Sequence, residues 1–166
     1  MTIVTEIWDA YNENEELLGV DLIRGEVIPV GMYHLVVEAL IRHVDGDYLL
    51  MQRCFNKIGW PGCWEASAGG SATKGDTPDV AVAREVLEET GIIIDDLQMI
   101  NKIIEHPTIY YSFLAITNCD KDAVQLQIGE TIAYRWVGKT ELLAFMKTEA
   151  SIATQCRRLQ PYLTTL

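Results

Sequence analysis

One stretch, Gly70 to Ile92, reading GSATKGDTPDVAVAREVLEETGI, constrains this chain more than any other. Thr77 suits an N-cap, Pro78 the first helical position and Asp79 the positive end of a helix dipole, while Gly91 suits the left-handed residue that ends a helix. The spacing predicts a helix over 77–90. Val82, Val86 and the alanines mark a face for burial against a sheet. Glu85, Glu88 and Glu89, related by i, i+3 and i+4, share another face. Like charges at those spacings repel by roughly 0.2–0.5 kcal/mol a pair, and Arg84, four before Glu88, relieves only part of it. Such a face fits a hard divalent cation with oxygen ligands, Mg²⁺ or Mn²⁺. Gly69 and Gly70 let a main-chain carbonyl approach closely enough to join the carboxylates.

The flanking segments predict mostly strands. Residues 3–11 and 17–24 flank a polar turn from Asn12 to Glu16, and Ile28 to Gly31 is a connector. The apolar run from Tyr33 to Val44, then Asp45-Gly46, then YLLMQRC reads as a β-hairpin in a buried sheet. Residues 55–75 read as loop. Ile92 to Ile94, Leu97 to Glu105, Thr108 to Thr117 and Thr131 to Val137 read as extended. Thr140 to Thr148 and Ile152 to Leu163 carry helical spacing, with Pro161 near the end of the second. With no repeat and no linker, one α+β domain with a mixed sheet is expected.

Charge narrows the function. Lys plus Arg is 13 and Asp plus Glu is 24, so the net charge is −11. That argues against binding polymeric nucleic acid, whose affinity comes from Lys and Arg on phosphates. No apolar run is long enough to cross a bilayer, and the first residues contain no signal-peptide pattern. Cys54, Cys63, Cys119 and Cys156 lack the close pairing of a zinc site and read as free thiols in a reducing cytoplasm.

The stretch 70–92 resembles the Nudix box. Gly70, Arg84, Glu85, Val86, Glu88, Glu89, Gly91 and Ile92 match its pattern, and Asp76 stands where the family has Glu. The resemblance implies an α/β/α sandwich with a mixed β-sheet over residues 31–166, preceded by an N-terminal β-hairpin extension over 1–30. It implies hydrolysis of a diphosphate linkage in a nucleoside diphosphate derivative or similar small molecule. It also implies divalent metal on Glu85, Glu88 and Glu89, helped by the Gly70 carbonyl, with Arg84 orienting the glutamates and with the carboxylate that deprotonates water left open among Glu88, Glu89 and the later Glu130. Glu130, in QIGETIAYRWV, is similar to a late loop acid that serves the family as metal ligand or base. Arg53 and Lys57 are candidates for phosphate contact, and Trp60, Tyr110 and Tyr111 for the substrate's other moiety, with Trp64 in the same aromatic group. Self-association into a homodimer stays open.

The segment NKIGWPGCWEASAGGSATKGD also resembles isopentenyl-diphosphate isomerase, a relative sharing the fold. That enzyme's catalytic Cys and metal-binding His fall at Gly69 and Ser71. His34 matches one of its metal ligands, but the partner position is Val27, so His34 alone reads as a strand histidine satisfied by hydrogen bonds. Cys63 lies six residues too early. Hydrolase is therefore preferred over isomerase, and the intact glutamates speak against a non-enzymatic nucleotide-binding regulator.

Overall fold

The computed structural model describes residues 4–166; Ile3, where the first strand was expected to begin, lies outside the described residues. Strands β1 (Ile7–Tyr11) and β2 (Leu17–Ile23) pair antiparallel as a sheet of their own. The main sheet holds β3 (His34–His43), β4 (Tyr48–Arg53), β5 (Trp64–Glu65), β6 (Ala68–Ser71), β7 (Asp96–Glu105), β8 (Thr108–Thr117) and β9 (Thr131–Val137). Its path is β5-β4-β3-β8-β7, with β6 on β3 and β9 on β4. The pairing is mixed: β3 and β8 run parallel over their whole length, from His34↔Thr108 to His43↔Thr117, and the other pairs are antiparallel.

Among the described residues three α-helices cover the sheet: α1 (Pro78–Thr90), α2 (Lys139–Phe145) and α3 (Ala153–Leu163). Strand β3 explains the layering, because successive side chains point to opposite faces. Leu35, Val37, Ala39 and Ile41 pack with Ala81, Val82 and Val86 of α1. Leu40 faces the other way, in a cluster with Leu142, Phe145, Leu159 and Leu163 of α2 and α3. A strand buried on both faces reads as a near-continuous apolar run, as this one does apart from the buried Glu38. The architecture is an α/β/α sandwich.

Several expectations are corrected. The hairpin over 33–54 pairs in register only next to its turn, Arg42↔Tyr48. Beyond that, β4 turns away to β5 and β9, and its place beside β3 goes to β6 through Val36↔Ser71 to Ala39↔Ala68. Ser67 sits in the fork with no exposure, where its Oγ accepts from Ile41 N at 2.9 Å and donates to Leu49 O at 2.5 Å. The expected loop 55–75 thus contains β5 and β6, too short and too rich in glycine to show a strand pattern. Ile92 to Ile94 joins no strand. Thr77 occupies the N-cap position with extended backbone but its side chain makes no capping hydrogen bond, whereas Gly91 ends α1 at φ +73° as expected. The helix expected over 140–148 ends at Phe145, and α3 runs through Pro161 in its last turn.

Candidate active site

The site is built from the loop after β6, the carboxylate-bearing face of α1, the end of β4 and the loop before β9. Gly70 on β6 lies against α1 so closely that a Cβ there would meet the Glu85 carboxyl carbon at 2.6 Å. With glycine here the main chain comes right onto the carboxylate face, and a larger residue would displace the Glu85 carboxyl. Arg84 gathers the acids around it. It donates to Glu85 at 2.9 Å and to Asp76 at 3.0 Å, and lies 3.6 Å from Glu88. Burial alone would raise Asp76, but hydrogen bonds from Thr73 and Arg84 outweigh it and hold the carboxyl low. The shorter acid is thus fully engaged within its own loop.

Glu89 is only 7% exposed, and its Oε2 is buried without a hydrogen-bond partner. Burial, then the facing charges of Glu65 and Glu85, push its carboxyl well above the usual range. Glu85 is raised too, by burial, against the pull of Arg84. Glu130 contacts the Lys57 ammonium and sits at the rim. Among the described residues no three acid, His or Cys side chains stand ready-made as a metal cage. The ion pairs explain the spacing: Arg84 draws on Glu85 and Glu88, and Lys57 holds Glu130. The donor set nonetheless fits a hard divalent cation, being all oxygen, with one buried carboxylate oxygen unpartnered and glycine where a backbone carbonyl must come close.

These groups line a cleft of about 350 Å³ that includes Arg53, Lys57, Gly70, Arg84 and the four glutamates Glu85, Glu88, Glu89 and Glu130. A second cleft of about 280 Å³ shares Arg53, Gly69 and Gly70 with it and adds Trp60, Tyr110 and Arg158. Arg53 stands at their junction, its Nε donating to Gly59 O at 3.0 Å and its NH1 lying 3.4 Å from Glu65. Tyr110 lies under the Arg158 guanidinium, 4.5 Å from it, and Arg158 is locked onto buried Glu38 by two 2.8 Å bonds. Tyr111 is a correction. Its neighbour Tyr110 faces the cleft, so strand alternation turns Tyr111 to the opposite face, where its hydroxyl donates to Glu15. Trp64 lines neither cleft and stacks with Arg135 instead. His34 is buried, its Nε2 bonded to Thr108 Oγ1 at 3.0 Å and its ring stacked on Trp8, but its Nδ1 is buried without a hydrogen-bond partner, so the expected strand histidine is only half satisfied.

Three contributors went unread in the sequence. Glu65 is a buried acid facing Glu89, and it is the one charge between Trp60 and Ala72, which was its only signal. Glu6 and Arg24 reach the first cleft from the N-terminal hairpin. No local pattern marks them, because only the docking of the hairpin brings them there.

Comparison with known proteins agrees with this geometry. A family model described as "NUDIX domain" matches residues 32–156. An uncharacterized Nudix hydrolase of Listeria monocytogenes is 49% identical over 90 residues, covering 54% of this chain and 53% of that protein. The chain thus spans about half the length of these curated relatives. An isopentenyl-diphosphate Delta-isomerase of Corynebacterium diphtheriae is 42% identical over 64 residues, covering 39% of this chain and 35% of that protein. A crystal structure from Deinococcus radiodurans superposes with a TM-score of 0.73 at 20% identity, covering 95% of this chain and 99% of that one, and shows the shared fold.

Proposed function

Because the chain belongs to the Nudix hydrolase family, we propose that it hydrolyses a diphosphate linkage in a nucleoside diphosphate derivative or a similar small molecule, using Mg²⁺ or Mn²⁺. The observation that carries this reading is Arg84 bridging Asp76, Glu85 and Glu88 beside a buried, unpartnered Glu89 oxygen. Glu85, Glu88, Glu89 and Glu130, with the Gly70 carbonyl, would hold the cation. When bound there, a divalent cation supplies neutralisation of the diphosphate oxygens and a more acidic water. Arg84 keeps the carboxylates in place. Arg53 and Lys57 contact phosphate oxygens, and the cleft between Trp60 and Tyr110 takes the other moiety. Glu88 and Glu130, at 47% and 39% side-chain exposure, are open enough to pass a proton from water to solvent, whereas Glu89 is sealed. The free cysteines fit a reducing cytoplasm.

The test is a panel of nucleoside triphosphates, nucleotide sugars, ADP-ribose, dinucleotide cofactors and CoA with Mg²⁺, reading phosphate or mononucleotide release. Turnover of at least one compound should vanish with EDTA, return with Mg²⁺ or Mn²⁺, and fall by orders of magnitude in Glu89→Gln. Full turnover in chelator would overturn the metal reading.

The local identity to isomerases favours a second reading, proton transfer to carbon. The aligned nucleophile position argues against it. Gly69 has no side chain, and a Cβ there would stand 2.5 Å from Val37 O. Cys63 lines neither cleft. Incubation with isopentenyl diphosphate in deuterated water should place no deuterium on carbon.

A further inference from the structure

The N-terminal hairpin lies outside residues 32–156, yet it is bonded to the loop that leads into α1. Ile7 O accepts from Lys74 N at 2.9 Å, and Asp9 Oδ2 accepts from Gly75 N at 2.7 Å. The next residue is Asp76. Its Oδ2 accepts from Thr73 N at 3.0 Å, Thr73 Oγ1 at 2.8 Å and Arg84 NH2 at 3.0 Å. Arg84 in turn reaches Glu85 and Glu88. A connected series of polar contacts therefore runs from the hairpin to two carboxylates of the cleft.

The hairpin is a firm base for that series. Trp8 is buried and stacks on His34 with centroids 4.2 Å apart. Tyr11 and Tyr33 exchange backbone hydrogen bonds of 2.9 and 2.8 Å. A second hairpin contact, Lys74 to Asp21, is about half exposed at both ends and belongs to the class of surface pairs that contribute little. The Asp9 contact is exposed as well but differs in its partner: a carboxylate holds a backbone N–H directly beside Asp76, in a charge-assisted bond that fixes main chain and not a flexible side chain.

We propose that Asp9 is a positioning residue of the active centre. By fixing Gly75 N it sets the loop 73–76, through Asp76 it sets the Arg84 guanidinium, and through Arg84 the separation of Glu85 and Glu88. The proposal rests on those carboxylates binding a divalent cation, as proposed above.

The test is Mn²⁺ titration of the full chain, reading free Mn²⁺ by electron paramagnetic resonance. Asp9→Ala should weaken Mn²⁺ binding by about tenfold, at the low end of what orienting partners of metal ligands contribute. Asp9→Asn keeps an oxygen for the Gly75 N–H and should stay within about twofold of the unsubstituted protein. Asp21→Ala, which removes the Lys74 ion pair opposite Asp9 on the hairpin but no hydrogen bond of the series, should also stay within about twofold. Equal affinity in Asp9→Ala, an equal loss in Asp21→Ala, or no recovery in Asp9→Asn overturns the proposal. If the unsubstituted protein itself fails to bind Mn²⁺, the metal reading falls and this proposal with it; if it binds and Asp9→Ala binds equally, only this proposal falls.

Discussion

Gly69 and Gly70 are neighbours in the chain, but a methyl group added to each would meet different matter. At Gly70 it would press on the tip of the Glu85 side chain, which can swing away. At Gly69 it would press on the carbonyl of Val37, which belongs to the central strand and cannot. Gly70→Ala should therefore leave the melting temperature almost unchanged while weakening Mn²⁺ binding by about tenfold, as when a ligand loses its orientation. Gly69→Ala should instead cost about 1–3 kcal/mol of stability, the usual range for overpacking a core, measurable by denaturant unfolding. At this scale the sequence was readable where residues act through fixed local spacing: Glu85, Glu88 and Glu89 share a face, and Arg84 reaches Glu88 one turn on, because a helix has one geometry. Glu65 and Glu6 were not readable, since what makes Glu65 matter is its burial opposite Glu89 and what places Glu6 is a hairpin docked from elsewhere in the chain. Tyr110 and Tyr111, adjacent in one strand, look alike in the sequence until strand alternation gives each its own face.

Among the elements, the fork between β3 and β4 was the feature the pattern concealed. Apolar content and the Asp45-Gly46 turn announce two strands, and both exist, but they do not say which other strands compete for the same edge. Here β6 takes the far part of that edge, and Ser67 satisfies the two backbone groups left at the split, Ile41 N and Leu49 O. Ser67→Ala should strip both of their partner in a site closed to water. We expect a loss of roughly 2–4 kcal/mol from two unsatisfied buried groups, seen as a lower denaturant midpoint with an unchanged slope. A midpoint equal to that of the unsubstituted protein would mean that the backbone at the fork closes by itself.

For the whole molecule, pH should act on stability through His34. Burial holds its imidazole down to about 4, from an ordinary value of 6.5, with the Glu6 carboxylate opposing. An unfolded chain therefore takes up a proton that the folded one refuses. The contribution is nil above pH 6.5 and becomes destabilising as pH falls from about 6.5 to 4, reaching about 3 kcal/mol. Carboxylates titrate over the same range, so the measurement is a difference: unfolding free energies at pH 7.5 and 5 for the protein and for His34→Gln, whose loss on acidification should be smaller. Equal losses would remove His34 from the account. The parallel pairing of β3 with β8 has a consequence in the order of synthesis. The chain leaves the ribosome from its N-terminus, so β3 and the whole of α1 emerge before Thr108 does. Until Thr117 has followed, β3 lacks the partner that flanks it from His34 to His43, and the apolar face of α1 has only part of its sheet to rest on. The carboxylate helix is thus spelled out early and supported late, and the nascent chain must carry exposed core surface through that interval.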